Sequence, residues 1–408
     1  MKIAIIGSGI AGLSAAYSLM DKHEVTVFET NSRAGGHSRT INIDVNGKNE
    51  SIDTGFIVFN DRNYPILRRF FSHLNIPYEK SDMSFGASAQ NGQIEYSSSN
   101  VFAQPRNILR PSFWRMIFDI LRFNKTAQKW VGTDLTLGDM LREFNGRKWF
   151  NNYYIKPMGA AIWSCSTTTI EDFPASAFIR FFHNHGLLTI FKQPQWFTVT
   201  NGSKTYVDKV TSRLGTRLKL NCAITKITAG KKPTVTDETG LTYEFDKVIL
   251  ACHADQALGL MDQPSPEQTS ILGAFSFQTN NIIVHSDESF MPRRKSAWAS
   301  WVYLNDHNNS LCLSYWMNNL QNKDKSTSII ETLNPIKRPA EDLIHDEYTF
   351  SHPVFTKQAI EAQKNLDKIQ GQGNLYYCGA WSKNGFHEDG IASAVHVLNL
   401  MGEPISWL

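Results

Sequence analysis

The first thirty residues constrain the fold of this chain more than any other stretch. A β-branched strand (Lys2 to Ile6) leads into a glycine-rich turn, an Ala- and Leu-rich helix (Ala11 to Met20) and a second strand (Glu24 to Phe28). The order strand, turn, helix, strand is typical of a βαβ unit in a parallel sheet. We therefore predict that the chain begins with a mononucleotide-binding βαβ unit.

The glycines of the turn have the spacing G-x-G-x-x-G. Gly7 permits the tight turn, Gly9 lets the backbone approach a pyrophosphate, and Gly12 lets the helix pack closely on the strand. The helix N-terminus then faces the phosphate charge, and an acid about 20 residues on binds ribose hydroxyls. The alternative is a glycine-rich turn in an ordinary α/β protein, but the flanking strands favour dinucleotide binding. The predicted contacts are Gly7, Gly9, Ile10, Ala11, Gly12 and Glu29.

Length and composition limit the class of protein. A chain of 408 residues is long enough for two domains, and its 25 Phe and 10 Trp indicate a large apolar interior or an apolar ligand cavity. The net charge of +3 and the dispersed basic residues argue against nucleic-acid binding. The five cysteines have no C-x-x-C spacing, which is typical of reduced cysteines in a cytosolic protein.

Metal, targeting and membrane-spanning signals are weak. His183 and His185 are two residues apart without a third ligand nearby, so we predict no metal site. Lys2 and the apolar run after it could resemble a signal peptide, but the glycine spacing explains them better. Because no run of 18 apolar residues occurs, we expect no transmembrane helix. The cysteines favour a cytoplasmic location, with a peripheral position at the inner face of the membrane as the alternative.

The segment after the second strand indicates which dinucleotide is bound. Residues 33 to 40 (RAGGHSRT) resemble the R-x-G-G-R-x-x-T/S motif of FAD enzymes in the amine oxidase, protoporphyrinogen oxidase and phytoene desaturase superfamily. His37 stands where a second arginine is common, so Arg33 and Arg39 are the candidates for the charge facing the pyrophosphate. Residues 53 to 55 resemble the D-x-G segment beside the flavin. The resemblance implies FAD contacts from Arg33, Gly35, Gly36, His37, Thr40, Asp53, Thr54 and Gly55.

Three later stretches resemble other motifs of the same superfamily in the same order. Residues 218 to 227 resemble the strand that meets the adenine, and residues 246 to 253 resemble D-x-V-I-x-A-x-P, with His253 replacing the proline. The strand at 375 to 380 would supply a phosphate contact, and the last helix would direct its N-terminus at the flavin. The implied contacts are Ile224, Ala251, Gly379, Ala380, Gly390, Ile391 and Ser393.

The resemblance covers nearly the whole chain and implies its fold class. We expect an α/β fold (α+β overall), with a Rossmann-type FAD-binding domain of the glutathione-reductase/amine-oxidase kind and an inserted substrate domain containing an antiparallel sheet and helices. The predicted FAD-binding domain is discontinuous (residues 1–80, 201–262 and 366–408), and the substrate domain comprises 81–200 and 263–365. No second G-x-G-x-x-G follows a strand, so a separate NAD(P)H domain is not expected.

Several stretches, including 53–60 (DTGFIVFN), 158–164 (MGAAIWS) and 385–390 (GFHEDG), resemble one bacterial branch of the superfamily. Those amine-oxidase-like proteins are often encoded beside cyclopropane-fatty-acid synthases. The resemblance implies an FAD-dependent oxidoreductase that takes a hydride from a carbon of a lipophilic, fatty-acyl or phospholipid substrate. Oxygen, a quinone or a partner protein would reoxidise the flavin. The alternatives are a flavin amine oxidase and a non-catalytic partner of a cyclopropane-synthase-like methyltransferase.

Candidate substrate and catalytic residues lie in the ring-rich middle and just before the last helix. His387 is the candidate proton shuttle because its unperturbed pKa is near neutrality, and Glu388 is a second candidate. The alternative is that this turn only caps the helix through Asp389. Amine oxidases place a tyrosine at the position of Phe386, and no secure counterpart of their flavin-facing lysine is found. The predicted substrate-lining residues, which could equally be core, are Trp163, Phe181, Phe182, Trp196, Trp381 and Phe386.

Residues 111 to 130 predict an amphipathic helix. An apolar side that includes Phe113, Met116, Leu121 and Phe123 lies beside a cationic arc formed by Arg115, Arg122, Lys125 and Lys129. This pattern is typical of a helix on an anionic membrane, and the alternative is a solvated helix that covers a domain. The three cations at 293 to 295 form either a solvated loop or a receptor for an anionic headgroup.

Overall fold

The computed structural model describes residues 1–163, 165–189, 193–305 and 312–408, so Ser164, at the end of the MGAAIWS stretch, lies outside the described residues. The strands are β1 (Lys2–Ile6), β2 (Glu24–Phe28), β3 (Thr40–Val45), β4 (Lys48–Asp53), β5 (Phe59–Asn60), β6 (Tyr78–Ser81), β7 (Phe85–Ala89), β8 (Ile94–Ser97), β9 (Trp196–Val199), β10 (Leu218–Lys219), β11 (Ile224–Thr228), β12 (Thr234–Asp237), β13 (Thr242–Glu244), β14 (Lys247–Leu250), β15 (Ser276–His285), β16 (Trp301–Asn305), β17 (Cys312–Trp316), β18 (Ile330–Leu333), β19 (Ile344–Val354) and β20 (Leu375–Tyr377). The α-helices are α1 (Ile10–Leu19), α2 (Pro65–His73), α3 (Pro111–Thr126), α4 (Leu137–Phe144), α5 (Lys148–Phe150), α6 (Lys156–Ile162), α7 (Ala175–Asn184), α8 (Lys204–Leu214), α9 (Ala254–Leu260), α10 (Pro266–Leu272), α11 (Met317–Leu320), α12 (Lys357–Asn365) and α13 (His387–Leu400).

A five-stranded parallel sheet in the order β10-β2-β1-β14-β20 contains the predicted βαβ unit. Both faces of this sheet are covered. Ile3 and Ile5 of β1 contribute to the core on one face, and Ala4 and Ile6 contribute to the core on the other. Burial on both faces explains why β1 reads as a continuous apolar run instead of an alternating one.

A seven-stranded sheet in the order β19-β15-β18-β17-β16-β7-β8 forms the second large layer. It differs from the antiparallel sheet expected from the sequence, because β16 pairs with β7 in parallel. More than 200 residues separate these two strands along the chain, so no hairpin turn fixes their relative direction. The sheet also contains β18, which the sequence pattern did not predict.

The two large sheets take their strands from different parts of the sequence. All five strands of the parallel sheet fall within the predicted segments 1–80, 201–262 and 366–408, and all seven strands of the other sheet fall within 81–200 and 263–365. A small sheet, β5-β9-β6, combines strands from both sets of segments. The exact domain boundaries therefore stay a prediction.

Helices α3 to α7 enclose an aromatic core of their own. Buried rings from four helices and the turn after α3 pack together there, and they include Phe113, Phe123, Trp130, Phe144, Phe150 and Phe178. Across the described ranges, no helix has both the length and the apolar character needed to cross a bilayer.

Helix α3 presents a different surface from the one predicted. Phe113, Met116 and Phe123 are buried as expected, but Leu121 on the predicted apolar side is 47% exposed. Trp114 and Phe118 are 48% and 65% exposed, so the outer face of α3 carries large apolar side chains.

Two of the four side chains in the predicted cationic arc form ion pairs within the protein. Arg122 pairs with the buried Asp119 and its guanidinium lies 4.0 Å from the centre of a phenylalanine ring. Lys129 pairs with Glu143 at 3.2 Å. Arg115 and Lys125 are exposed. The arc therefore does not act as one set of four solvent-facing cations.

Candidate active site

A cavity of about 1010 Å³ extends from the glycine turn after β1 to the inner face of the seven-stranded sheet. Gly7 and Gly9 lie at one end, whereas Ile282, Tyr315 and Leu333 lie at the other. A backbone cradle and an apolar chamber thus share one continuous space. A volume of this size suits a large cofactor together with part of a substrate.

Most of the residues predicted to contact the cofactor lie in the cavity wall. They are Gly7, Gly9, Ile10, Ala11, Glu29, Arg33, Gly36, His37, Thr54, Gly55, Ile224, Ala251, Gly379, Ala380 and Gly390. The others lie behind the wall and are Gly12, Gly35, Thr40, Asp53, Ile391 and Ser393.

The glycine turn leaves the backbone open to the cavity. A Cβ atom on Gly9 would meet no atom within 4 Å, whereas one on Gly12 would lie 2.0 Å from the carbonyl oxygen of Gly7. Gly36 has a φ of +57° and packs against the Cα atom of Gly9. The first amides of α1 therefore border a space that no side chain fills, as a pyrophosphate requires.

Glu29 follows β2 and is held by four hydrogen bonds. Its Oε2 accepts from the Ser8 amide (3.0 Å) and hydroxyl (2.6 Å), and its Oε1 accepts from the Asn31 amide (2.9 Å) and side chain (2.7 Å). These contacts fix the carboxylate in the wall beside the glycine turn, where a ribose-binding acid is expected.

Arg33 and Arg39 differ in their relation to the cavity. The Arg39 guanidinium binds the Asp346 carboxylate at 2.6 and 3.1 Å and lies over the Tyr348 ring, so it is committed to β19. Arg33 lies in the cavity wall, where burial and the neighbouring Arg39 lower its pKa. Of the two arginines considered, Arg33 is therefore the one that borders the cavity.

His37 occupies the position where the motif usually has arginine. Its ring stacks on Phe350 with centroids 4.2 Å apart, and its buried Nε2 has no partner among the described residues. Burial lowers the pKa of His37 well below its usual value, and His352, His253, His387 and Arg33 make smaller contributions in the same direction. His37 is thus neutral at pH 7 and offers a hydrogen bond instead of a charge. An unpartnered nitrogen in the wall suits a polar ligand such as the cofactor.

Asp53 supports the wall from behind. Its carboxylate accepts from the Thr40 hydroxyl (2.6 Å), from the Ser203 amide and hydroxyl (both 2.8 Å) and from the Gln321 side chain (2.9 Å). Burial raises the pKa of Asp53 to about 6 although these hydrogen bonds oppose the shift. This network positions the next residues, Thr54 and Gly55, which face the cavity.

His387 begins α13 and lies in the wall, but its surroundings argue against the proton shuttle expected from the sequence. Its Nε2 lies 2.9 Å from the Tyr206 hydroxyl and 3.0 Å from Ser38 Oγ, and its ring stacks on Phe56 at 3.8 Å. Burial lowers the pKa of His387 to about 3, so the imidazole stays neutral near pH 7.

Glu388 also departs from its predicted role. It lies outside the cavity wall, and its two oxygens accept from the amides of Ile66 and Leu67, both at 2.9 Å. The carboxylate therefore caps the N-terminus of α2 and has no contact with the cavity. Asp389 accepts from the Phe386 amide at 3.0 Å, so part of this turn does cap α13, as the alternative proposed.

The cavity wall contains four of the six predicted substrate-lining residues, namely Phe181, Trp196, Trp381 and Phe386. Trp163 and Phe182 instead belong to the aromatic core, where they pack with Phe178. On α7, successive residues point about 100° apart, so Phe181 and Phe182 cannot both face the chamber.

The sequence did not predict the part of the wall that the seven-stranded sheet contributes. On β18 the cavity-facing residues are Glu331 and Leu333, which alternate with Ile330 and Thr332 on the other face of the strand. Other cavity-facing residues of this sheet include Phe85, Ile282, Trp301 and Tyr315, and residues 349–353 also line the cavity. Period-two alternation was the only signal in the sequence, and it does not say which face of the sheet meets a cavity.

The fold and the cavity together define a dinucleotide-dependent oxidoreductase with an apolar substrate chamber. The model of the family described as "Flavin containing amine oxidoreductase" matches residues 10–330, which is most of the chain. The protein belongs to this family and is an FAD-dependent oxidoreductase, so the predicted superfamily, fold class and cofactor are confirmed.

Solved structures of three enzymes share the fold over nearly their whole length. The fatty acid isomerase of P. acnes, described as CLA-producing, is 15% identical, with a TM-score of 0.70 and 98% of each chain covered. Wild-type putrescine oxidase bound to putrescine is 13% identical (TM-score 0.70, 98% of this chain and 99% of that chain). Cyclohexylamine oxidase from Brevibacterium oxydans IH-35A is 12% identical (TM-score 0.70, 98% and 99%). No curated protein sequence matches the chain significantly.

Two alanine substitutions should separate cofactor binding from folding. A Gly9→Ala side chain would project into the cavity without a protein clash, so FAD affinity should fall about tenfold or more while the apoprotein keeps its stability within about 0.5 kcal/mol. Gly12→Ala should destabilise the fold by about 3 kcal/mol because its Cβ overlaps the Gly7 carbonyl. FAD titration and urea unfolding measure both effects. Unchanged FAD affinity in Gly9→Ala would contradict the assignment of this turn.

The buried His387 predicts a pH dependence of stability. Its folded pKa of about 3 lies below the unfolded value of 6.5, so the unfolded state binds more protons and the free energy of unfolding falls as pH falls below 6.5. Between pH 7.5 and 5, the wild type should lose about 2 kcal/mol more than His387→Gln. Urea unfolding of the FAD-loaded proteins at both pH values measures the difference. Equal losses would mean that His387 titrates near neutrality after all.

Proposed function

We propose that the protein takes a hydride from a carbon of a lipophilic substrate, either a fatty acyl chain or a phospholipid. The single observation that carries this proposal is the apolar chamber continuous with the cofactor cradle. Its walls combine aromatic rings from α7, α13 and the seven-stranded sheet with aliphatic side chains, and Phe181 stacks on Phe386 at 4.9 Å. An acyl chain suits such walls because burying methylene groups is favourable and needs no polar partner.

The protein's own residues would hold the cofactor and exclude water. Gly9, Glu29 and Arg33 are placed to hold the pyrophosphate and ribose, and the N-terminus of α13 would favour negative charge near Gly390. Bound FAD supplies the hydride acceptor, while the protein supplies orientation and field. The histidines of the wall are held neutral, as argued for His37 and His387, so they add no positive charge to the site.

The likeness to the fatty acid isomerase supports an acyl substrate, and that to the amine oxidases supports the alternative of amine oxidation. The wall residues named for the described part of the chain include no lysine, whereas the amine oxidases that this sequence resembles have a flavin-facing lysine. One observation favours an amine: Glu331 places a carboxyl group in the chamber. We therefore keep amine oxidation as the second candidate.

The flavin itself tests the proposal. Anaerobic mixing of the FAD-loaded protein with unsaturated acyl lipids should bleach the flavin absorption, and primary amines should not. Bleaching by amines alone would reverse the order of the two candidates. If no substrate of either class bleaches the flavin, the result would support the third alternative, a non-catalytic partner of a cyclopropane-synthase-like methyltransferase. The electron acceptor, whether oxygen, a quinone or a partner protein, can then be identified from the rate of reoxidation.

We also propose that the protein docks on anionic membranes to reach its substrate. Trp114, Phe118 and Leu121 recur every three or four residues and form one exposed line on α3, which we name the α3 stripe. Leu109, in the turn before α3, is 85% exposed. Apolar side chains in such numbers on one surface suit the interfacial region of a bilayer.

Cations around the α3 stripe give the charge complementarity for an anionic surface. Arg115 and Lys125 are exposed on the same helix. Arg106, Arg293 and Arg294 line a surface pocket close to the turn that precedes α3, although Arg294 also pairs with Glu95. Each cation near an anionic bilayer adds about 1 kcal/mol of attraction, screened by salt.

Vesicle sedimentation tests the docking surface. Trp114→Ser/Phe118→Ser/Leu121→Ser should weaken binding to anionic vesicles about tenfold or more, because it removes the apolar contacts. Arg115→Gln/Lys125→Gln should weaken binding mainly at low salt. Lys129→Gln, which removes a cation already paired with Glu143, is the matched control and should bind like the wild type. Absence of vesicle binding by the wild type would contradict the proposal.

A further inference from the structure

Glu331 is a carboxylic acid in the wall of an otherwise apolar chamber. It lies on β18 and is 3% exposed. Its strand neighbour across the sheet is Tyr315 of β17, so both side chains emerge on the face that borders the cavity. Ile282 and Leu333 line the same region. A carboxyl group in such surroundings is costly unless it has a partner.

One oxygen of this carboxyl has no partner in the described part of the chain. Glu331 Oε2 is buried and accepts or donates no hydrogen bond there. The Tyr348 hydroxyl hydrogen-bonds with the Glu331 carboxyl and donates to the carbonyl of Thr54, and Arg39 binds Asp346, so none of these groups is left over for Oε2. A buried, unpartnered polar atom in a cavity wall is expected of a group that forms a hydrogen bond with a ligand.

The charges around Glu331 decide what kind of ligand group it accepts. Asp53, Asp346 and Arg39 act on it, and Arg39 is neutralised by its ion pair with Asp346. Burial is the main cause that raises the pKa of Glu331 to about 8; Asp53 and Asp346 act in the same direction, whereas a hydrogen bond with Tyr348 and the charge of Arg39 oppose the shift. At neutral pH the group is therefore an uncharged O–H donor, and the anionic neighbours disfavour a second anion beside it.

We propose that Glu331 is a specificity-determining residue that donates a hydrogen bond from its protonated carboxyl to an uncharged oxygen of the substrate, such as the ester carbonyl of an acyl lipid. The inference rests on the proposed function, since it presumes an acyl chain in the chamber. It adds that esterified lipids bind in preference to free fatty acids. A free carboxylate would bring a second acidic group beside Glu331, where the negative charge of Asp53 already acts from behind the wall, whereas an ester carbonyl accepts the hydrogen bond without adding charge.

Matched ligands with one chain length test this inference. The FAD-loaded protein is titrated with methyl decanoate, decanoate and decylamine, and binding is followed by the change in the flavin spectrum. At pH 7 the wild type should bind the ester most tightly. Glu331→Leu should weaken ester binding about tenfold because it removes the donor. Glu331→Gln keeps an N–H donor of similar size and should bind the ester within about threefold of the wild type.

The pH dependence separates hydrogen bonding from packing. Above pH 8 the ionised Glu331 can no longer donate, so ester affinity of the wild type should fall about tenfold by pH 9.5, while that of Glu331→Gln should stay constant. Those neighbours of Glu331 whose pKa is shifted titrate outside this range. Asp53 ionises near pH 6, Asp346 is paired with Arg39, and burial raises the pKa of Tyr315 and of Tyr348 above 10. FAD content and thermal unfolding show that each variant is folded.

Several results would overturn the inference. Equal ester affinity in the wild type and Glu331→Leu would mean that Glu331 does not contact the ligand, while the proposed function would stand. Tighter binding of decylamine, lost in Glu331→Gln, would show an ionised Glu331 that binds an ammonium group. Tighter binding of decanoate would refute the preference for uncharged oxygen. If no ligand changes the flavin spectrum of any variant, the acyl chamber itself is wrong and the proposed function fails as well.

Discussion

The buried carboxylate of Asp53 joins parts of the chain that otherwise belong to different layers. Its hydrogen bonds reach Thr40 at the start of β3, Ser203 at the start of α8 and Gln321 after α11, and Gln321 also accepts from the Asp53 amide. Such a network is costly to break, because removing one partner leaves buried polar atoms without hydrogen bonds. The cavity wall at Thr54 and Gly55 depends on it, since these residues follow Asp53 directly.

Burial determines the protonation states of the titratable groups in the cavity wall. His37 and His387 are held neutral, and Glu331 is held protonated, because each loses the water that would stabilise its charged form. Arg33 is the cation that the described wall presents toward the glycine turn. The result is a chamber in which charge is concentrated at the cofactor end, and the substrate end offers rings, aliphatic groups and one uncharged donor.

The outer surface of α3, like the substrate end of the chamber, carries large apolar side chains. The same helix buries Phe113 and Phe123 in the aromatic core and exposes Trp114 and Phe118 to solvent. The two buried positions need apolar side chains for packing, but large apolar side chains at the two exposed positions give no stability in water. A bilayer that supplies both the substrate and the missing apolar contact would account for the chamber and the helix together, and this is the reason for proposing membrane docking.

The sequence by itself determined the parallel sheet and the cofactor end of the site. Local signals suffice there, since the G-x-G-x-x-G spacing, the strand on each side and Glu29 act within one βαβ unit of about thirty residues. Tertiary structure decided the rest. Contacts between residues distant in sequence decide three features of the site. They decide that Glu388 caps α2 instead of facing the cavity, that Phe182 packs in the core instead of lining the chamber, and that β18 turns Glu331 toward the cavity. The shift of the His387 pKa has the same origin, because burial is a property of the whole fold and leaves no pattern in the local sequence.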